Sequence, residues 1–400
     1  MIKNLNNTNY ILILILAISF IARLFTIHYY GDTKIDNEWG IILINLENNK
    51  IFGYREYEGQ VLPTIYMPPL YPIFLYLIKI IIGSNELFVK IILQIQAILS
   101  LVSIYYFYKI LNKIYSKNIA FLGLLVFSLF PLNVYSVSQI SSVSLQVLFT
   151  VLFFYSLINI LRNQNAFTLM SFSITVAALI HLRGEFFIIY FLTLIYIFLK
   201  IKKIKHIFLS FVIVLILATP YLTRNYKTFG IITITKSSGY NLWRGNHLNA
   251  GVEGNETRSN KLELKLKTIE PTKKYDLDLD NMYMEEAINN IKTNPLYFFK
   301  LYLKKIVSFL FIDSESTYKN YYSYLNIVPK LIISIMSILG AFLAIRKKSI
   351  NIYFSGYYFF NILLFSIFFI LPRYSLMLLP AQVILSCYLL SALNSKFLNT

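Results

Sequence analysis

Of 400 residues, 57% are hydrophobic and only 14% charged, and the mean hydropathy is +0.60; this excludes an ordinary soluble globule. The formal charge of +18 would suit a nucleic-acid partner. However, the lysines fill loops and interfacial positions with no stacking groove or nucleic-acid motif beside them, so none is expected. The single cysteine, Cys387, lies in an apolar run and excludes an intrachain disulfide or a thiol-based metal cluster.

Apolar stretches of about 17–25 residues, the length that crosses a bilayer as helix, recur from end to end. Spanning helices are predicted over 9–28, 87–108, 119–140, 143–161, 166–182, 184–200, 207–223, 327–345, 352–372 and 374–393. The first is too long and too weakly flanked to read as a cleaved signal peptide. Two further apolar runs are read as lying along the surface. The run 70–82 is short and follows the proline cluster "MPPLYP", and 296–312 carries three lysines.

Charge sets the expected orientation. With both termini in the cytoplasm, Lys109, Lys113, Lys117, Arg162, Lys200, Lys202, Lys203, Lys205, Arg346, Lys347 and Lys348 all fall inside, as the positive-inside rule requires. Counting 70–82 as a span would invert everything after it. The expectation is one all-α polytopic membrane domain over 1–400 in a cytoplasmic membrane. Two outer loops, 29–86 and 224–326, carry juxtamembrane helices, one of them over 38–48. No transporter-type internal repeat is visible.

Scarce carboxylates gather in the first outer loop. "GDTKIDNEWG" places Asp32, Asp36 and Glu38 directly after the first span. The nine arginines are outnumbered by lysines, yet Arg183, Arg224 and Arg373 fall at outer ends of spans, and Arg55 and Arg244 in outer loops. A planar guanidinium fork matches phosphate oxygens where lysine offers only a point charge. Interfacial snorkelling is the plainer account of each arginine; several on the carboxylates' face favour a site. Carboxylates opposite phosphate-binding arginines suit transfer from a lipid phosphate. A glycosyl phosphate leaves as a stable anion, so one carboxylate to deprotonate the acceptor hydroxyl suffices, whereas a glycosidase usually needs two.

Several segments, "IDNEWGIILINLENNKIFGY", "YMPPLYPIFLYLIKIIIG", "LRGEF", "TPYLTRNYKTFG", "GYNLWRGNHLNAGVEGN", "INNIKTNPLYF" and "LPRYSLMLLP", follow one another in a familiar order. Together they resemble the GT-C superfamily of polyprenyl-phosphate-sugar glycosyltransferases, of the protein mannosyltransferase and lipid A aminoarabinose transferase type. The resemblance implies a GT-C bundle of about ten transmembrane helices and Asp36 as catalytic residue, with Glu38 and Asp32 assisting. It also implies Arg373 as the contact to the lipid phosphate, with Arg183 and Arg224 as further candidates. Helix capping is the structural alternative for Asp36. Tyr240, Asn241, Trp243, Arg244 and Asn246 are substrate-binding candidates, with an ordered turn as the plainer reading.

Departures leave the sugar open: "SQISSVSLQ" stands where many relatives carry a glutamate, and Glu185 follows "LRG" where relatives often have proline. Glu185 is expected to pair with Arg183 or to contact the donor's hydroxyl groups. No cofactor is certain, although a divalent cation such as Mg or Mn could bridge Asp36, Glu38 and phosphate; His28 and His181 lack the spacing of a metal site. The expected partners are the bilayer, a polyprenyl-phosphate-linked sugar and an acceptor lipid, polysaccharide or protein. The alternatives are a polyprenyl-diphosphate glycan ligase and a non-catalytic flippase or transporter, the latter predicting ionisable groups near mid-membrane.

Overall fold

The computed structural model describes residues 2–83, 85–349 and 351–397. Helices dominate. In chain order they are α1 (Ile2–Tyr30), α2 (Glu38–Asn48), α3 (Leu70–Ile82), α4 (Asn85–Ile114), α5 (Lys117–Leu129), α6 (Pro131–Tyr135), α7 (Val143–Arg162), α8 (Ala166–Leu182), α9 (Phe186–Ile201) and α10 (Ile204–Phe229). There follow α11 (Ser238–Gly245), α12 (Asn260–Leu266), α13 (Tyr275–Thr293), α14 (Pro295–Leu310), α15 (Tyr324–Arg346), α16 (Ile352–Ile367) and α17 (Leu379–Phe397), with a 3-10 segment, Pro372–Met377, before α17. The described strands form one antiparallel hairpin, β1 (Gly53–Tyr57) and β2 (Gln60–Pro63), inside the expected first outer loop.

Each of the ten expected spans coincides with helix. Five helices (in α1, α4, α7, α10 and α15) are long and apolar enough to cross a membrane, and α5 with α6 makes a sixth, bent by 52°. The bend has a chemical cause. Pro131 offers no N–H to continue the ladder of α5 and instead opens α6. The other expected spans are the shorter apolar helices α8, α9, α16 and α17. The molecule is thus an all-α, multi-pass membrane protein with α2 and α3 where surface helices were expected.

The two ends of the bundle differ. At one end Arg162 donates to the Lys113 carbonyl at 2.9 Å, Lys113 to Asn159, and Tyr115 to Asn351 at 3.1 Å, so the cation-rich connections lie together. At the other end, Asp32 meets Ile140, Arg183 meets Met377 and Arg224 meets Thr64. All candidate site residues lie toward this second end. One apolar core runs through α4, α5, α7, α8, α16 and α17, and a smaller one, built on Trp243, Leu279, Tyr283 and Ala287, fastens α11 to α13.

One ionisable group departs from the expectation that charges sit near span ends. Arg23, wholly buried in α1, donates from Nε to Ser100 Oγ (2.9 Å) and from one terminal nitrogen to the Ser19 and Ser128 carbonyls (3.1 and 3.0 Å). A guanidinium in apolar surroundings survives only with such partners, and here it joins α1 to α4 and α5.

Small residues let α15 and α17 approach closely. A Cβ added to Gly340 would stand 2.0 Å from the Leu385 carbonyl oxygen, and Ala341 and Ala344 on the same helix are wholly buried. Without a strong hydrophobic drive between helices in lipid, such contact supplies much of the association. Gly340→Val should therefore lower the melting midpoint in detergent, by an equivalent of about 1–3 kcal/mol for overpacking. An unchanged midpoint would contradict this packing.

Candidate active site

The acidic loop begins where α1 ends, and much of it is stitched to the α6–α7 connection. The Asp32 backbone N–H donates to the Ser138 carbonyl at 2.9 Å, and its carboxylate accepts the Ile140 N–H at 2.6 Å. Gln139 donates to the Tyr30 carbonyl at 2.9 Å. Burial raises the Asp32 carboxyl pKa, the Ile140 hydrogen bond opposes this, and the Asp36 charge adds to the rise. Asp32 is thus committed to holding the loop.

The neighbouring acids diverge. The α2 N-cap is Asn37, whose Oδ1 accepts the Trp39 N–H at 3.1 Å, so the capping alternative for Asp36 does not hold. Asp36 is instead 59% exposed and lies 2.5 Å from the still more exposed Lys34. Such a pair is worth little and yields readily to another ligand. Glu38, half-buried in the first turn of α2, faces inward: its charge helps to raise the pKa of the Tyr54 and Tyr66 hydroxyls.

Tyr66 marks the place where the elements converge. Burial is the main cause that lifts its hydroxyl pKa; Tyr240, Glu38 and Tyr374 add to it and Arg244 opposes it. Its ring meets Tyr240 edge-on at 5.6 Å and stacks with Tyr54 at 6.3 Å. Beside it lies an aromatic floor from the end of α16 and the segment after it, Phe365, Phe369 and Tyr374, with centroids 5.7 and 6.0 Å from Tyr374 to the two phenylalanines.

Three guanidinium groups rest on this floor. Arg183, at the C-cap of α8, lies 4.7 Å over Phe365 and 5.0 Å over Tyr374, Arg244 of α11 lies 4.6 Å over Phe369, and Arg373 lies 5.8 Å over Tyr374. Their charges are compensated unequally. Arg183 pairs with Glu185 at 2.5 Å, one of the two roles open to that glutamate, and Arg244 pairs with the exposed Glu256 at 3.2 Å. The Arg244 Nε is buried and unpartnered. Arg373 is exposed and, among the described residues, has no carboxylate partner.

Arg224 behaves differently. It donates to the carbonyls of Thr64 and Phe52 at 2.8 and 3.1 Å and to the Asn225 side chain at 2.8 Å, fixing the hairpin to α10. Arg55 joins the same hairpin to α13 through Asp276 at 3.0 Å. These two arginines hold the outer segments together, and their donors face protein.

The segment "GYNLWRGN" divides in the same way. Asn241 lines a cavity and Tyr240 and Arg244 are half-buried, whereas Trp243 is 2% exposed and packs on Tyr283 and His247. The buried Asn246 donates to the Leu242 and Ile367 carbonyls, both at 2.8 Å, so its amide is committed to the fold. A cavity of about 620 Å³ opens from this region between α9 and α10. Its polar end holds Arg183, Glu185 and Asn241, while Phe187, Ile188, Phe211 and Leu215 line an apolar flank and are themselves exposed at the surface. The shape suits an amphiphile with an anionic head and a long apolar tail.

Among the described residues, no group of three or more His, Cys, Asp or Glu side chains is placed to hold a metal. His28 packs on Tyr29, and His181 Nδ1 lies 2.7 Å from the Ala177 carbonyl, each within its own helix. Reading the sequence missed Tyr66, Tyr374, Phe369 and Glu256. Only the position of Tyr374 beside Arg373 could have flagged any of them.

Residues 66–223 match the family profile of the dolichyl-phosphate-mannose-protein mannosyltransferases. The expected family likeness is upheld. The matched segment holds Arg183 and Glu185 but ends just before Arg224, and the acidic loop, Arg244 and Arg373 lie outside it. A search of curated proteins finds no match. Solved structures that match include the apo crystal structure of ArnT from Cupriavidus metallidurans, with 12% identity, a TM-score of 0.37, and coverage of 95% of this chain and 77% of that one.

The arginines should separate by experiment. Arg224→Met should lower stability by about 2 kcal/mol or more, because it strips charged donors from buried carbonyls. Arg373→Met should leave the melting midpoint of the purified protein unchanged. Equal losses in both variants would contradict the division into fastening and ligand-facing arginines.

Proposed function

We propose that this chain is an inverting glycosyltransferase that moves one sugar from a polyprenyl-phosphate donor to an acceptor at the outer face of the bacterial cytoplasmic membrane. The whole chain acts as one GT-C domain. The observation that carries the reading is the aromatic floor of Phe365, Phe369 and Tyr374, which bears Arg183, Arg244 and Arg373 and, with Arg183, lines an apolar cavity. Its cations suit the departing phosphate, and the flank between α9 and α10 suits the isoprenoid chain. The lysine-rich opposite end favours an outward-facing site with both termini in the cytoplasm.

In this reading a carboxylate of the acidic loop takes the proton from the acceptor hydroxyl. The acceptor oxygen attacks the anomeric carbon opposite the phosphate, the carbon–oxygen bond to phosphate breaks, and polyprenyl phosphate leaves as an anion. Its growing charge falls on guanidinium groups already placed, which is where electrostatic catalysis is strongest. Asp36 is assigned as base, since its exposed ion pair with Lys34 is easily exchanged for substrate. Glu38, whose charge acts on the Tyr66 hydroxyl as that of Arg244 does, is assigned to orienting the acceptor. Tyr240 and Asn241 border the space for the sugar.

Purified protein given a polyprenyl-phosphate sugar and a panel of lipid, polysaccharide and protein acceptors should transfer the sugar with inversion at the anomeric carbon. Asp36→Asn should reduce turnover by about 10²–10⁴-fold, the usual worth of a general base. A loss confined to Glu38→Gln would move the base to Glu38, and full turnover in both variants would refute the mechanism.

A further inference from the structure

The three lysines of 296–312 predict a helix lying along the surface. In α14, Lys304 does reach an exposed partner, Glu315, at 2.6 Å. Lys305 turns the other way and is wholly buried. Its Nζ donates to the Gly245 carbonyl at 2.7 Å, the Asn246 Oδ1 at 3.2 Å and the Phe368 carbonyl at 2.5 Å. An ammonium has three donors and no acceptor, and here each donor has its own oxygen.

Those oxygens belong to the two segments that carry the site. Gly245 and Asn246 directly follow Arg244, and Phe368 precedes Phe369, Arg373 and Tyr374. The two backbones touch, since a Cβ on Gly245 would lie 2.0 Å from the Phe368 carbonyl oxygen. They meet where α11 and α16 end. Asn246 adds a second tie through its bond to the Ile367 carbonyl, and Ile370 donates to Val252 at 3.0 Å. Burial pushes the Lys305 pKa down to about 7, so holding a charge there costs the fold free energy, and stability alone gives no reason for a lysine.

We propose that Lys305 is a positioning residue that sets the spacing between Arg244 and the floor carrying Arg183 and Arg373, and thereby the grip on the donor's phosphate. This rests on the glycosyltransferase reading given above. The lysine touches neither reacting group; it ties the end of α11, which carries Arg244, to the segment after α16, which carries Arg373. A displacement of order 1 Å in such a constellation can cost about 10²-fold in rate.

The test compares wild type, Lys305→Met and Asn246→Ala in two measurements, steady-state kinetics with a polyprenyl-phosphate sugar and backbone hydrogen exchange. In both variants the donor KM should rise at least about ten-fold, with kcat altered less and the acceptor KM unchanged. Lys305→Arg, which keeps the charge and the donors, should recover part of the loss. Exchange should quicken selectively in 242–255 and 366–372. Asn246→Ala preserves the buried charge, so it reports on the clamp even if Lys305→Met folds poorly. Unchanged donor KM and unchanged exchange in both variants would overturn the proposal, as would a loss of kcat alone. Wild-type protein that transfers no sugar would refute the glycosyltransferase reading, whereas selective loosening of the two segments would still establish the clamp.

Discussion

A positive charge at a membrane surface needs a partner that keeps it in place without cancelling it. Here that partner is an aromatic face. Arg183, Arg244 and Arg373 lie over Phe365, Phe369 and Tyr374, each contact worth roughly 0.5–2 kcal/mol depending on hydration. Arginine suits such a position, being planar, weakly hydrated and always charged. Carboxylates compensate Arg183 and Arg244, and Arg373 has no carboxylate partner among the described residues. Much of the bundle serves this arrangement, since the three side chains come from the end of α8, from α11 and from the segment after α16.

The acids show how close neighbours in sequence take different tasks. Asp32 holds the loop through the Ile140 N–H, Asn37 caps α2, Asp36 stays in solvent, and Glu38 looks toward Tyr66. The basic residues divide likewise into fasteners (Arg23, Arg55, Arg224 and Lys305) and the three that stand on the floor. The fasteners spend donors on carbonyls, hydroxyls or, for Arg55, the Asp276 carboxylate, and so tie one segment to another. A cation on an aromatic ring with donors to spare is open to an anion.

What could be read without the structure follows from what is local. Apolar length placed a helix at each expected span, because a continuous apolar run is displayed directly in sequence; five of these helices, or six with the bent pair, are long enough to cross, and α3 is one of the shorter apolar helices, like α8, α9, α16 and α17. The bend at Pro131 was equally local and was passed over, so 119–140 was read as one rod. The hairpin around Glu58 and Gly59 escaped because its strands are only five and four residues long and carry no strong turn signal. The acids and Arg373 were legible as types in the expected places, yet their partners were not. The three oxygens that hold Lys305 sit about sixty positions from it in both directions along the chain, and Arg23 finds Ser100 and Ser128 across three helices. A period-based reading gives each lysine of an amphipathic stretch to water, and only tertiary contact shows which one turns inward.

The most direct test is an experimental structure of the protein with polyprenyl phosphate bound. The phosphate should lie within hydrogen-bond distance of Arg373 and of at least one of Arg183 and Arg244, with the isoprenoid running between α9 and α10. A phosphate seated on Lys330 or against the hairpin at Arg224, with the aromatic floor empty, would contradict the assignment of that floor as the anion site.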